Sequence, residues 1–215
     1  MNATNPKKYI LVWDFPVRAF HWLLVVSFAG AWLTSESEAL QMIHYAFGYS
    51  ACGLVLFRVV WGLVGTKYAR FSQFIKGPKG VIKHIQSIFV SSKHSDPGHN
   101  PVGAIAMLAL MGLVLLIGLT GYWSVKEFFG DVMGEVHEAI ASLAMALVAI
   151  HVAAAILMSF LQKENLIKSM VTGKKLGTEE QAIRYPMYFM GVALGIAWAY
   201  VFYLVVSGSL PAFTQ

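Results

Sequence analysis

The chain has 215 residues, 57% of them hydrophobic and only 13% charged, with a net charge of +5. A soluble domain carries about a quarter of its residues charged, so this composition excludes an ordinary soluble globule and points to a surface that mostly meets lipid. The basic excess lies in short connections between apolar runs, which is the pattern of topology signals and not of a nucleic-acid-binding patch.

The N-terminal segment, MNATNPKKYILVWDFPVR, does not read as a signal peptide. It lacks a small-residue cleavage site, and Asp14, Pro16 and Arg18 break its first apolar stretch. Five stretches then reach the roughly 20 apolar residues that a spanning helix needs. They cover about 16–33, 43–64, 101–123, 136–161 and 186–207, with Pro16, Pro101 and Pro186 at the expected helix starts. Cys52, the single cysteine, falls in the second stretch and reads as a small packing residue. With no C-x-x-C-H in the chain, covalent haem attachment is excluded. The longest connection, 64–100, contains GPKGVIKHIQSIFVSSK, with Val81, Ile82, Ile85, Ile88 and Phe89 at helical spacing. It reads either as a helix lying on the membrane surface or as a plain polar loop. Asn100 is placed to cap the third span, which Pro101 starts. The expected fold is all-α, one transmembrane domain over 1–215 with five spans.

Fifteen of the 16 basic residues fall on one side of this layout, and only Lys126 falls on the other, beside Glu36, Glu38, Glu127, Asp131 and Glu135. The rule that cytoplasmic loops are basic makes the N-terminus cytoplasmic. Five spans then put the C-terminus in the periplasm, for a multi-pass protein of a bacterial inner membrane.

Of seven histidines, His84, His94 and His99 lie in the long connection, while His21, His44, His137 and His151 lie in or at the edges of spans. A polar ring in hydrocarbon is costly, which makes such residues candidates for function. His21 begins the first span at the cytoplasmic side, and His44 begins the second at the outer side. His137 starts the fourth span outside. His151 follows 14 residues later, about 21 Å deeper and only about 40° away around the helix. The depths therefore pair His21 with His151 and His44 with His137. Facing imidazoles are suitable axial ligands for a low-spin haem iron, and two such pairs would carry electrons between the two faces. Small residues crowd the fourth span (Ala139, Ala141, Ser142, Ala144, Ala146, Ala149, Ala153, Ala154 and Ala155) and would leave room for a flat macrocycle. They would equally serve close helix packing.

Haem propionates need cationic partners at the membrane edge. Arg18, Arg58 and Arg70 stand at the depth of the inner pair, and Arg58 is the strongest candidate because it interrupts an apolar run. His99 is placed to meet a propionate or a quinone, or simply to sit in the capping region of the third span.

These residues carry a resemblance. VWDFPVRAFHW around His21, IHYAFGYSACGLVLFRVVWG around His44 and Arg58, YARF at 68–71, GHNPVG at His99 and HEAIASLAMALVAIHVAAA with its two histidines resemble the prokaryotic cytochrome b561 family and the cytochrome b subunits of nickel–iron hydrogenases. The resemblance covers about 150 residues. It implies a four-helix core, two non-covalent haem b groups held by paired histidines, and exchange with the quinone pool. Short members have four spans, so the fifth brings this chain closer to the hydrogenase-type group, which docks a periplasmic redox partner. The expectation is a di-haem cytochrome passing electrons between quinone and a periplasmic c-type cytochrome or a dehydrogenase or hydrogenase subunit, with a homodimer also allowed. It would be an electron-transfer protein or a quinone-linked oxidoreductase subunit. The rival readings are a histidine-lined metal or proton transporter and a passive membrane anchor for a redox enzyme.

Overall fold

The computed structural model describes residues 8–73, 98 and 101–209. His84, His94, His99, Asn100 and the amphipathic stretch of the long connection lie outside the described residues. Five helices are long and apolar enough to cross a membrane. They are α1 (Phe15–Thr34), α2 (Gln41–Val64), α3 (Pro101–Val125), α4 (Val132–Gln162) and α6 (Tyr188–Val206), with the short α5 (Leu166–Thr172) between the last two. The chain is a multi-pass helical membrane protein. Its spans match those read from hydropathy, with two adjustments. Helix α4 starts a turn early, at Val132, because Glu135 in its first turn favours the positive end of the helix dipole. Helix α6 starts at Tyr188, two residues beyond Pro186, whose carbonyl instead accepts from the Phe15 N–H at 2.8 Å.

One apolar core binds α1, α2, α3 and α6 within the membrane through Phe20, Ala51, Leu54, Val55, Met111, Val114 and Leu194. Trp198 adds a polar tie, donating from Nε1 to the fully buried Ser27 Oγ at 2.9 Å across α6 and α1. Helix α4 belongs to neither of the two cores. It packs closely on α3 and α5, and no comparable packing joins it to α1 or α2. The gap on that side lies between the helices that carry the four histidines.

A second core closes one end. Strand β1 (Lys8–Leu11) pairs antiparallel with β2 (Lys174–Gly177), Lys8 opposite Gly177 and Leu11 opposite Lys174. Ile10, Val12, Trp13, Val17, Trp61, Tyr68, Ala69 and Ile183 are buried beneath it. Gly173 ends α5 at a φ of 79°, and its carbonyl accepts from Val12 N at 2.8 Å and Trp13 N at 3.0 Å. A side chain there would strain the left-handed backbone and collide with the Trp13 carbonyl. This end carries Lys8, Lys67, Arg70, Lys163, Lys168, Lys174 and Lys175 and is called the basic end below. The opposite, acidic end carries Glu36, Glu38, Glu127, Asp131 and Glu135 against Lys126.

Candidate functional site

At the acidic end, His44 stands in the first turn of α2 and His137 in the second turn of α4. Their ring centroids are 6.1 Å apart with planes at 70°. His44 Nδ1 lies 2.8 Å from the Ala31 carbonyl oxygen, and His137 Nδ1 lies 2.9 Å from that of Ile117. A carbonyl can only accept, so each Nδ1 holds the ring proton and each Nε2 keeps a lone pair. Ala31 is available because it lies in the last turn of α1, where carbonyls lack a backbone N–H partner along the helix, although it also accepts from Thr34 Oγ1 at 3.3 Å. Ile117 is reached because residue 121 is glycine: a Cβ there would sit 3.0 Å from the His137 ring. These backbone bonds fix tautomer and ring orientation as the supporting contacts of metal-bound histidines do.

Both rings line a cavity of about 310 Å³. Gly48, one turn along α2 from His44, lines it with nothing within 4 Å of where a Cβ would be, so the helix backbone forms a flat wall. Ser35, Ser37, Gln41 and Ser124 line the mouth with neutral polar groups, Glu36 and Glu38 add carboxylates, and no Lys or Arg is among the lining residues. A metal sits about 2 Å from an imidazole nitrogen, so an ion bound axially by two rings spaces their centroids by roughly 6 Å. The observed spacing and the free Nε2 atoms fit that requirement. Among the described residues, no group of three or more His, Cys, Asp or Glu side chains gathers to hold a bare ion.

Toward the basic end, α1 carries His21 and α4 carries His151. Of the expected histidine pairs, His44 and His137 are brought ring to ring. His21 stands edge-on to Trp22, with ring centroids at 5.0 Å, and its buried Nδ1 has no hydrogen-bond partner. Arg58 is 1% exposed. Its Nη2 donates to the Ala69 carbonyl at 2.9 Å, its guanidinium lies 5.0 Å from the Phe71 ring centroid, and its Nη1 is buried without a partner. Arg18 donates from Nη1 to the Val171 carbonyl at 2.7 Å and keeps a buried Nε unpartnered. Buried polar atoms are nearly always satisfied. Among the described residues, the buried side-chain atoms without partners are Arg18 Nε, His21 Nδ1, Arg58 Nη1 and Ser50 Oγ. Three of these four belong to residues expected at the inner haem, and they suit an anionic, metal-bearing ligand. Arg70 is exposed on the connection after α2, unlike Arg58. His99 lies outside the described residues.

The small residues of α4 divide between two faces. Ala144 is fully buried and Ala141 and Ala155 are half-buried, on the histidine face. Ala139, Ser142, Ala146, Ala149 and Ala153 are exposed on the opposite face, so they leave no room for a macrocycle. The residues missed by sequence reasoning are Gly121, Gly48 and Asp14. Asp14 is 1% exposed and accepts from Val17 N at 2.8 Å, Trp61 Nε1 at 3.0 Å and Thr66 Oγ1 at 2.7 Å. Its signal was present: Asp two residues before a proline and ahead of an apolar run is a helix-capping pattern.

Comparisons with known proteins give the family. A probable nickel–iron hydrogenase 1 B-type cytochrome subunit of Escherichia coli K12 is 28% identical over 137 residues, covering 52% of this chain and 58% of the relative. This chain therefore spans somewhat over half the length of that relative. A probable nickel–iron hydrogenase B-type cytochrome subunit of Rhizobium leguminosarum bv. viciae is 24% identical over 215 residues, covering 79% of this chain and 90% of the relative. No solved structure matches. The family model described as prokaryotic cytochrome b561 matches residues 12–173, a stretch that contains all four membrane histidines. The chain therefore belongs to the prokaryotic cytochrome b561 family.

Proposed function

We propose that this cytochrome carries two haem b groups and moves electrons between the quinone pool and a periplasmic redox partner. His44 and His137 hold one haem, and His21 and His151 hold the other. The observation that carries the reading is the outer pair: two rings at 6.1 Å, each with Nδ1 tied to a helix carbonyl so that Nε2 is the free ligand atom. Bound haem supplies one-electron transfer at iron. The chain's own part would be to offer two imidazole nitrogens to each haem and, at the outer pair, to fix their ring orientation through Nδ1. Arg58 and Arg18 take propionates at the inner haem, with Arg70 and His99 as further candidates at that edge. The basic end faces the cytoplasm and the acidic end the periplasm, within one transmembrane domain of a bacterial inner membrane. The relatives' names, both of hydrogenase cytochrome subunits, support a hydrogenase-type partner docking near the outer haem.

The test is a reduced-minus-oxidised absorption spectrum of purified protein with a haem-to-protein ratio. Two b-type haems per chain are expected. A colourless preparation, made with haem supplied during expression, would end the reading. A transporter would instead show bound transition metal or proton flux without the haem band. A second expectation concerns Gly121. Replacing it with valine pushes the His137 ring off the Ile117 carbonyl and should lower occupancy at the outer haem about 10- to 100-fold at limiting haem, while the inner haem stays bound. Equal loss at both positions would show a general folding defect in its place.

A further inference from the structure

The two ends of the histidine ladder are electrostatically unequal. Arg58 follows His44 by 14 residues on α2, the same interval that separates His137 from His151 on α4. Both helices run from the acidic to the basic end, so Arg58 lies about 21 Å beyond His44, level with His151. Its guanidinium is shut away from water at 1% exposure, and one of its nitrogens has no partner in the protein. Arg18 stands one turn before His21, with a buried nitrogen in the same condition. Asp14 opposes these two cations, but its carboxylate is shared among three donors. At the other end the cavity between His44 and His137 is lined by Glu36 and Glu38 and by no Lys or Arg.

Reducing a haem adds one negative charge. A nearby cation favours that change and a nearby carboxylate opposes it, most strongly where water is excluded. Propionates would add negative charge at both positions, but only at the inner one do Arg58 and Arg18 stand ready to neutralise it. Resting on the two-haem reading above, we infer that the haem position between His21 and His151 has the higher reduction potential. Arg58 is the main residue that sets the gap, and Glu36 and Glu38 lower the outer position. Arg58 acts strongly because it is buried; the two glutamates are exposed, and solvent and salt weaken their effect.

The test is an optical redox titration of the intact, haem-loaded protein in lipid nanodiscs. The wild type should titrate as two one-electron components separated by at least a tenfold difference in equilibrium constant, about 59 mV. His137→Ala should leave only the higher component, and His151→Ala only the lower. Arg58→Gln should shift the higher component at least tenfold toward the oxidised form and leave the lower one in place. If that variant does not assemble, the paired Glu36→Gln and Glu38→Gln substitutions at the exposed mouth give a second reading. They should move the lower component toward the reduced form about threefold at low salt, and less at high salt. Two haems in the reverse order, or a lower component unmoved by loss of both carboxylates, would overturn the inference while leaving the two-haem reading intact. A protein without two haems overturns both.

Discussion

His137→Ala should cut the haem content from two per chain to one, and His44→Ala should give the same product, because the two rings serve one metal. His21→Ala and His151→Ala should each give the other single-haem species. The two histidines of a pair would hold one haem jointly, so the second adds little once the first is gone. Combining His44→Ala with His137→Ala should therefore be no worse than either alone. Combining His44→Ala with His21→Ala should give colourless protein. Electron flow across a vesicle membrane, from a reductant outside to an acceptor inside, should fall to background in all four single variants, since each removes half of the path. Haem-to-protein ratio and vesicle electron flow check these outcomes together. If His44→Ala combined with His137→Ala lost both haems, or if His44→Ala and His21→Ala proved interchangeable, the assignment of pairs would be wrong. The same set separates an electron carrier from a passive anchor, because an anchor would still support partner activity in haem-less variants.

Much of this arrangement was readable from the residues because a bilayer imposes simple geometry. Helix length is set by membrane thickness, so five apolar runs became five helices. The 1.5 Å rise turns residue intervals into depth, and the 14-residue interval from His137 to His151 set two levels that His44 and His21 then matched. What stayed hidden depends on contacts between distant segments. Lys8–Leu11 and Lys174–Gly177 are four-residue strands separated by more than 160 residues, and nothing local marks either as a strand. The faces of α4 were open to calculation. Counting small residues says nothing of direction, whereas turning 100° per residue from His137 places Ala139, Ser142, Ala146, Ala149 and Ala153 on the far side. The role of Gly121 was out of reach, because it rests on a ring from another helix arriving 3.0 Å from the missing Cβ.

Asp14→Ala should destabilise the basic end by about 3–5 kcal/mol, the cost typical of removing one partner from a buried charged network. Three donors depend on this carboxylate. The Val17 N–H in the first turn of α1 loses its cap, worth about 1 kcal/mol. The Trp61 indole N–H and the Thr66 hydroxyl lose their acceptor, and each buried donor left unsatisfied costs about 1–3 kcal/mol. Water can relieve part of this at Thr66, which is half-buried, but less at Trp61, which is 6% exposed and stacked on Phe57. Asp14→Asn keeps an oxygen acceptor and removes the charge, so it should cost about half as much. The measurement is the midpoint of denaturant-driven loss of tertiary structure in detergent micelles, compared with the change at Glu179, whose exposed ion pair with Lys8 should contribute less than about 1 kcal/mol. An Asp14→Ala protein within about 1 kcal/mol of wild type would mean that the α1 cap and the Trp61 and Thr66 contacts do not hold this end together. The loss should also be felt by the inner haem first. Arg18 and His21 follow Asp14 on the first two turns of α1, and Arg58 is one turn from Trp61 on α2. Partial unfolding of this end should therefore release the haem of His21 and His151 before that of His44 and His137, whose ligands stand near the opposite ends of α2 and α4.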